Sequence, residues 1–425
     1  MKIAVVGGTG LIGSAVAARL SSQGHSVISM SRSADRLNAN NASIDIAKAT
    51  TPAYWLPHLA GADAVVNCAG VLQDGPADST SMVHHLGIAN LFEACEQLKI
   101  RRVVHFSAIG VDKETPSAFS RTKLAGDTTL MERDLDWVIL RPSVVFGRPA
   151  FGASALMRGL AALPVFPVMP DTGELQIVLL EDVVRAVEYF LQPGSPAQQI
   201  VELVGPDRYS FNEMVSQLRR WYRCAPAREL RLPGFATSAL YKLGDLVSVL
   251  GWRPPVRTNA QLEITRGATG DSAHMKRLGL NPRSLSDFFS AEPASVQERW
   301  FARMYFVKPL LFVVLSLFWI STAFVSLGPG WDYGIGLMQE GGVEGTAAAL
   351  TVIAGALADL IIGIAIACRR TSRYGLYAAI TISLVYACIG TLLVPRLWAD
   401  PLGPMLKIWP VMAAHFAALA VLEYR

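Results

Sequence analysis

Apolar positions keep two short-range rhythms along the first part of this chain and then change to a third. Residues 2–6, KIAVV, are a short β-branched run that reads as a buried strand. GGTGLIG follows, and SAVAARLSSQG then carries apolar residues at helical spacing until Gly24 stops it. Further strands are predicted at HSVISMSR, at SIDIA around Asp45, at ADAVVNCAG (Ala62 to Gly70) and at RRVVHFSAIG (Arg101 to Gly110). Apolar runs of this kind, separated by helical segments, predict an α/β fold built on a doubly wound parallel sheet.

Beyond Gly147 the pattern becomes irregular. RPAFGASALMRGLAALPVFPVMPDTGELQ is rich in Pro and Gly, which predicts a small substrate lobe within about residues 148–290, above the C-terminal ends of the strands. Its apolar residues, among them Phe151, Met157, Phe166 and Met169, suit either an apolar partner or a packed core. LPGFATSALYKLGDLVSVLGWRPP (Leu232 to Pro255) reads as an amphipathic helix with aromatic residues near both ends, a pattern that suits a membrane surface.

The third rhythm begins near residue 305. Pro309–Leu327, Thr346–Cys368, Gly375–Val394 and Leu406–Leu422 are apolar runs close to the roughly 20 residues that cross a bilayer. They predict an all-α four-helix transmembrane bundle over residues 305–425, following an α/β domain over residues 1–295. Arg299, Arg303 and Lys308 precede the first span, Arg369, Arg370 and Arg373 follow the second, and Arg425 ends the chain. Arg396 and Lys407, on the other side, weaken that bias without reversing it. Both the N-terminal domain and the C-terminus are therefore expected on the cytoplasmic side of an inner (plasma) membrane, as a multi-pass protein. MKIAVV leads straight into a strand, which agrees with a cytosolic start. Asp359, near the middle of the second span, is expected to face the bundle interior, with His415 of the fourth span as a candidate partner.

Composition supports this division. Hydrophobic residues make up 52% of the chain, and a mean hydropathy of +0.34 is high for a purely soluble protein. The net charge of +4 is unevenly spread: Lys and Arg against Asp and Glu number 16 to 19 over residues 1–204, 16 to 9 over 205–308 and 6 to 6 over 309–425. A basic stretch before the membrane spans suits anionic lipid headgroups. The basic residues are dispersed and no recognition motif accompanies them, so nucleic acid is not an expected partner. Five cysteines with no CxxC spacing encode neither a disulfide framework nor a zinc site. His84-His85 are neighbours that point in different directions on a helix, so no metal is expected.

The candidate chemistry begins at the first turn. Gly7 permits it, Gly10 lets backbone approach a pyrophosphate at a helix N-terminus, and Gly13 lets helix pack on strand. Arg32 stands where an acid usually holds the adenosine ribose; a guanidinium there favours NADP(H) over NAD(H). Asp45 is placed to hold the adenine amino group.

Together GGTGLIG, NCAG, HFSAIG, an FxxxK segment, DWVILRPSVVFG, LLEDVVRAV and VELVGPDRYSFNEMV resemble atypical, extended short-chain dehydrogenase/reductases over roughly residues 1–290. The branch they resemble holds the dinucleotide-binding accessory subunit of respiratory complex I and its bacterial relatives. The resemblance implies a Rossmann-like fold and a residue-level site. Gly7, Thr9, Gly10, Leu11, Ile12 and Gly13 match the phosphate loop, Arg32 the 2′-phosphate position, and Asp45 and Ile46 the adenine clamp. Ala69 and Gly70 line the cofactor's centre, Pro142 and Ser143 match the strand end beside the nicotinamide, and Ser107 and Lys123 match two members of the catalytic Ser-Tyr-Lys set. The C-terminal spans resemble DoxX-like membrane domains.

The departure from the family pattern is Phe119, twelve residues after Ser107 and four before Lys123. A tyrosine there is the acid/base whose pKa the lysine lowers. Phenylalanine keeps the ring and cannot give a proton, so ordinary alcohol/ketone chemistry loses about 10²- to 10⁴-fold. Two readings stay open. One is an oxidoreductase-like protein acting at the inner membrane on or beside an apolar redox partner, a quinone or isoprenoid. The other is a non-catalytic NADP(H)-binding scaffold or redox sensor of a respiratory or quinone-biosynthesis complex.

Overall fold

In the computed structural model, described over residues 1–32, 41–76 and 78–422, the chain divides into two compact units. The first takes Met1–Leu246 and Pro254–Ala302; the second takes Val247–Arg253 and the chain from Arg303 onward. Arg425, one of the residues behind the expected orientation, lies outside the described residues.

The first unit is built on a seven-stranded, wholly parallel Rossmann-like sheet. Its strands begin with β1 (Lys2–Val6), β2 (Ser26–Ser31), β3 (Asn41–Ser43), β4 (Ala64–Asn67), β5 (Arg102–Phe106) and β6 (Asp136–Pro142). The chain then leaves the sheet for β7 (Val144–Phe146), β8 (Val165–Val168) and β9 (Leu175–Leu179) before β10 (Gln199–Leu203) returns beside β6. The order β10-β6-β5-β4-β1-β2-β3 reverses direction between β1 and β4, and in such sheets ligands bind at the crevice outside that point. Alternation within the strands feeds two cores. Ile3 and Val5 of β1 pack on one face of the sheet, Ala4 and Val6 on the other, and all four are buried.

One strand boundary differs from the sequence expectation. SIDIA is not a strand through Asp45: β3 ends at Ser43, and Asp45 caps a 3₁₀ turn over Ile46–Lys48, its carboxylate accepting from Ala47 N at 3.2 Å. A short carboxylate competes well for its own backbone N–H groups, which favours a cap over continued strand.

Helices α1 (Leu11–Ser22), α2 (Gly87–Gln97) and α3 (Ala118–Met131) follow β1, β4 and β5. Two more, α4 (Gly234–Val249) and α5 (Thr258–Arg266), lie beyond β10.

The second unit holds four helices long and apolar enough to cross a membrane, α6 (Val307–Leu327), α7 (Gly345–Ala367), α8 (Ser372–Leu393) and α9 (Pro404–Leu422). A shorter helix, Trp331–Glu340, which the sequence pattern did not foretell, links the first two. Asp359 is buried, as its cost in hydrocarbon demands, but the hydroxyl on its carboxylate is that of Tyr386, at 3.1 Å. His415 is buried against a different group. Its Nε2 accepts from Trp319 Nε1 at 2.9 Å while Nδ1 donates to Val411 O at 2.7 Å, which fixes the neutral Nδ1–H tautomer. The expected Asp359–His415 pair is thus replaced by two separate tyrosine and tryptophan contacts.

Candidate nucleotide site

The phosphate loop is tied down by backbone. Gly7 N and Gly8 N both donate to Met30 O, at 2.8 and 3.1 Å, which pins the turn to the end of β2. Gly7 has φ +79°, and a Cβ on it would lie 2.8 Å from Ala69 N, so the loop and the β4 end touch through main chain. At Gly13 a Cβ would come within 2.3 Å of Gly7 O, the close helix–strand approach expected there. Gly10 caps α1 without a side-chain hydrogen bond, while Thr9 is exposed and Leu11 and Ile12 are half-buried in the first turn. An uncapped helix N-terminus behind a loop of closely packed glycines fits a pyrophosphate.

The centre of the site is organised by α3. Ser117 caps it in a reciprocal capping box with Ser120, and the helix then presents Phe119, Lys123 and Asp127 at four-residue spacing. Lys123 is buried, its Nζ donating to Phe106 O at 2.7 Å and Ala69 O at 3.2 Å. Burial lowers this amine to about 8, against the pull of the nearby Asp127. Gly70 is adjacent, since a Cβ there would lie 3.7 Å from Lys123 Nζ.

Ser107 and Asp127 are brought together, a contact the sequence reading missed. The Ser107 hydroxyl donates to Asp127 Oδ2 at 2.8 Å, and Arg141 donates to the same oxygen through Nη2 and Nε at 3.0 and 3.2 Å. Burial pushes the Asp127 carboxyl up, while Arg141 and Ser107 hold it down. Arg141 reaches Asp112 with its other nitrogen at 2.9 Å. Beneath them Asn67 Nδ2 donates to His105 Nδ1 at 3.0 Å and Asn67 Oδ1 accepts from Ala69 N at 3.1 Å, shaping the turn that leads to Gly70. Burial holds the His105 imidazole neutral, well below its ordinary range.

Phe119 meets His84. The two rings stand edge to face, 5.3 Å apart. His84 Nε2 accepts from Val71 N at 3.0 Å, so Nδ1 carries the hydrogen and donates to Thr122 Oγ1 at 2.9 Å. Burial, aided by Lys123, drives its pKa far below the usual value. Both nitrogens are engaged, and the neutral ring packs against Phe119.

The remaining expected residues are held by contacts of their own. Arg32, just after β2, forms an ion pair with Asp78 at 2.9 Å. Asp45 N donates to Tyr54 OH at 3.1 Å, and Ile46 is buried in the core. Pro142 O accepts from Ile109 N at 3.1 Å; Ser143 donates its amide to Leu203 O at 3.0 Å and its hydroxyl to Gln176 O. Helix α5, unmarked by any motif, ties the strand-end loops together. Asn259 Nδ2 donates to Leu72 O at 3.2 Å, Arg266 donates to Ile109 O and Glu114 O at 2.9 Å each, and Glu263 accepts from Ser117.

Comparison with known proteins bears on each of the two units. A model described as NAD(P)H-binding matches residues 7–159, and a DoxX-like family model matches residues 316–416. Uncharacterized proteins of Mycobacterium tuberculosis and Mycobacterium bovis are 28% identical over 220 residues, 52% of this chain; the match spans only 23% of their own length. The mitochondrial NADH-ubiquinone oxidoreductase 40 kDa subunit of Neurospora crassa is 26% identical over 302 residues, 67% of this chain and 76% of that protein. Among solved structures, MoeE5 in complex with UDP-glucose and NAD overlays with a TM-score of 0.53 at 18% identity, covering 72% of this chain and 100% of that one, a likeness of fold alone. The chain therefore joins an NAD(P)H-binding, oxidoreductase-like domain, similar to atypical short-chain dehydrogenase/reductases, to a DoxX-like membrane domain.

Proposed function

We propose that this protein holds NADP(H) beside an apolar redox partner at the inner membrane, as a nucleotide-dependent scaffold or sensor and not as an alcohol or ketone reductase. The observation that carries this reading is the edge-to-face contact of Phe119 with His84 in the acid's position, with the polar groups around it already engaged. Ser107 gives its hydrogen to Asp127, His84 has both nitrogens bonded, and Lys123 Nζ donates to two carbonyls.

The residues around the strand ends fit the nucleotide. The Gly7–Gly13 turn would take the pyrophosphate, Lys123 the nicotinamide ribose hydroxyls, and Ala69, Gly70, Pro142 and Ser143 the nicotinamide side. Arg32 would select the 2′-phosphate, exchanging Asp78 for it, and Asp45 with Ile46 would border the adenine. A bound reduced nicotinamide would offer a hydride; this chain's side chains would position it and supply no proton of the tyrosine kind. The similarity to a complex I subunit favours a respiratory or quinone-synthesising assembly as the setting. The basic flanks of the spans favour the nucleotide domain and the C-terminus on the cytoplasmic side.

A second reading, hydride transfer to a quinone or isoprenoid partner, draws on the absence of a side chain at Gly70, next to Lys123. A quinone that accepts a hydride can take its proton from water, so it does not require the missing phenol. The test uses the full chain purified in detergent. Stoichiometric binding of NADPH in preference to NADH, with no oxidation by added quinones, is the expected result. Stereospecific loss of deuterium from labelled NADPH to a quinone would replace the first reading by the second, and failure to bind either nucleotide would end both.

A further inference from the structure

Helix α4 is apolar on two sides. Thr237, Tyr241 and Gly244 are buried on one face, where Tyr241 OH donates to Met169 Sδ at 3.4 Å and a Cβ on Gly244 would strike Val256 O. On the opposite face Phe235 is 79% exposed, Leu243 55%, Leu246 66% and Val249 69%. These positions recur at helical spacing and form one stripe along the helix. A helix of a soluble protein carries charge on its outward face, and a contiguous apolar stripe marks a docking surface.

We propose that this stripe lies in the headgroup region of the lipid bilayer, as an in-plane amphipathic anchor. What selects lipid over a protein partner is where the helix ends. It runs directly into Val247–Arg253, residues that belong to the compact unit of the membrane helices. There Trp252 Nε1 donates to Ala367 O, on the last residue of α7, at 2.7 Å, and Arg369 N, two residues beyond it, donates to Leu250 O at 2.9 Å. The Trp252 ring packs on Phe312, near the start of α6, and lies under the Arg369 guanidinium at 5.6 Å. Two spans therefore fix Leu250 and Trp252 at the end that carries Arg369, Arg370 and Arg373. Tryptophan and arginine together mark the depth at which hydrocarbon meets headgroups. A helix tethered at that depth through Leu250 and Trp252, with leucines on its outward face, suits an in-plane position in lipid, and Lys242, exposed on the same side, can carry its ammonium up to the phosphates along its apolar stem.

The proposal rests on the membrane domain and not on the nucleotide reading, so it is tested without nucleotide. The full chain, with Cys224, Cys368 and Cys388 changed to Ser, is reconstituted in phosphatidylcholine–phosphatidylglycerol vesicles. A nitroxide is then attached through Leu243→Cys, Leu246→Cys or Val249→Cys in turn. Leu317→Cys in α6 serves as the lipid-exposed reference and Glu132→Cys as the water-exposed one. Collision with dissolved oxygen severalfold above collision with an aqueous nickel chelate, as for Leu317→Cys, is expected at all three stripe positions. Values like those of Glu132→Cys would overturn the proposal. So would protection from both reagents, which would mean a protein partner or a second copy on the stripe. Thermal melting of each variant in detergent identifies any that has lost its fold, and the other stripe positions then carry the test.

Discussion

The Ser107 hydroxyl donates to Asp127 Oδ2 at 2.8 Å, and that oxygen also takes two hydrogen bonds from Arg141. Asp127 is therefore the shared acceptor beneath the site. Asp127→Asn leaves the buried Arg141 with only the partly exposed Asp112 as a charged partner and is expected to cost about 3 kcal/mol. Ser107→Ala is expected to cost about 1 kcal/mol, because the carboxylate keeps its two guanidinium bonds. Denaturant unfolding of the full chain in detergent distinguishes the two.

Lys123 carries a pH signature. Its folded pKa, about 8, lies below the value of 10.5 it has when unburied. Below both values the folded state bears the whole cost of a buried ammonium; above both there is no charge to bury. Stability of the nucleotide-free protein should therefore rise as pH goes from about 8 to 10.5, by up to roughly 3 kcal/mol. Lys123→Met should flatten that rise. The same variant should weaken NADPH binding by about 10- to 100-fold through lost ribose hydrogen bonds, measured by titration at pH 7.

Arg32 is expected to set nucleotide choice, and its ion pair with Asp78 adds a second handle. Arg32→Ala should reduce NADPH affinity by about tenfold or more while leaving NADH nearly unchanged, since a charge-assisted bond to phosphate is lost. Asp78→Asn should move the preference the other way, by removing a carboxylate that competes with the 2′-phosphate. Parallel titrations with the two nucleotides decide both.

Phe119→Tyr places a phenol against the His84 ring and four residues before Lys123. NADPH affinity should be unchanged. Carbonyl reduction should remain below the about 10²-fold gain that a positioned acid provides, because the Ser107 hydrogen still points to Asp127. Turnover with a panel of small aldehydes and ketones is the measurement, and a gain of that size would show that Phe119 alone had silenced the site.

In the membrane unit, Tyr386→Phe removes the hydroxyl on Asp359 and should destabilise the bundle by about 1–3 kcal/mol, the cost of a buried acceptor left unmade. Asp359→Leu in the same background should recover part of that loss, because it removes the unsatisfied acceptor. Thermal melting in a single detergent checks both.

What the sequence made legible follows from range. The strand–turn–helix at Lys2–Ser22 and the four spans are local patterns, and periodicity within a dozen residues was enough for them. Lys123 and Phe119 were legible because their spacing on one helix is short. Asp127, four residues further along the same face, carried the same signal and passed unnoticed because its partner Arg141 comes from β6. His84 looked like half of a poor metal pair; its true neighbours, Val71 N and Thr122, lie 13 and 38 residues away. Helix α5 reads as an ordinary polar helix until Asn259, Glu263 and Arg266 are seen against loops more than 140 residues earlier.

The seven residues Val247–Arg253, which sit in the middle of the chain and fold with its end, have a practical consequence. A cut after Ala302 would not release a finished half: it would leave the Trp252 indole without Ala367 O and Leu250 O without its donor from Arg369. The two halves of this chain are spliced, not strung together, and any attempt to separate them must decide to which side those seven residues go.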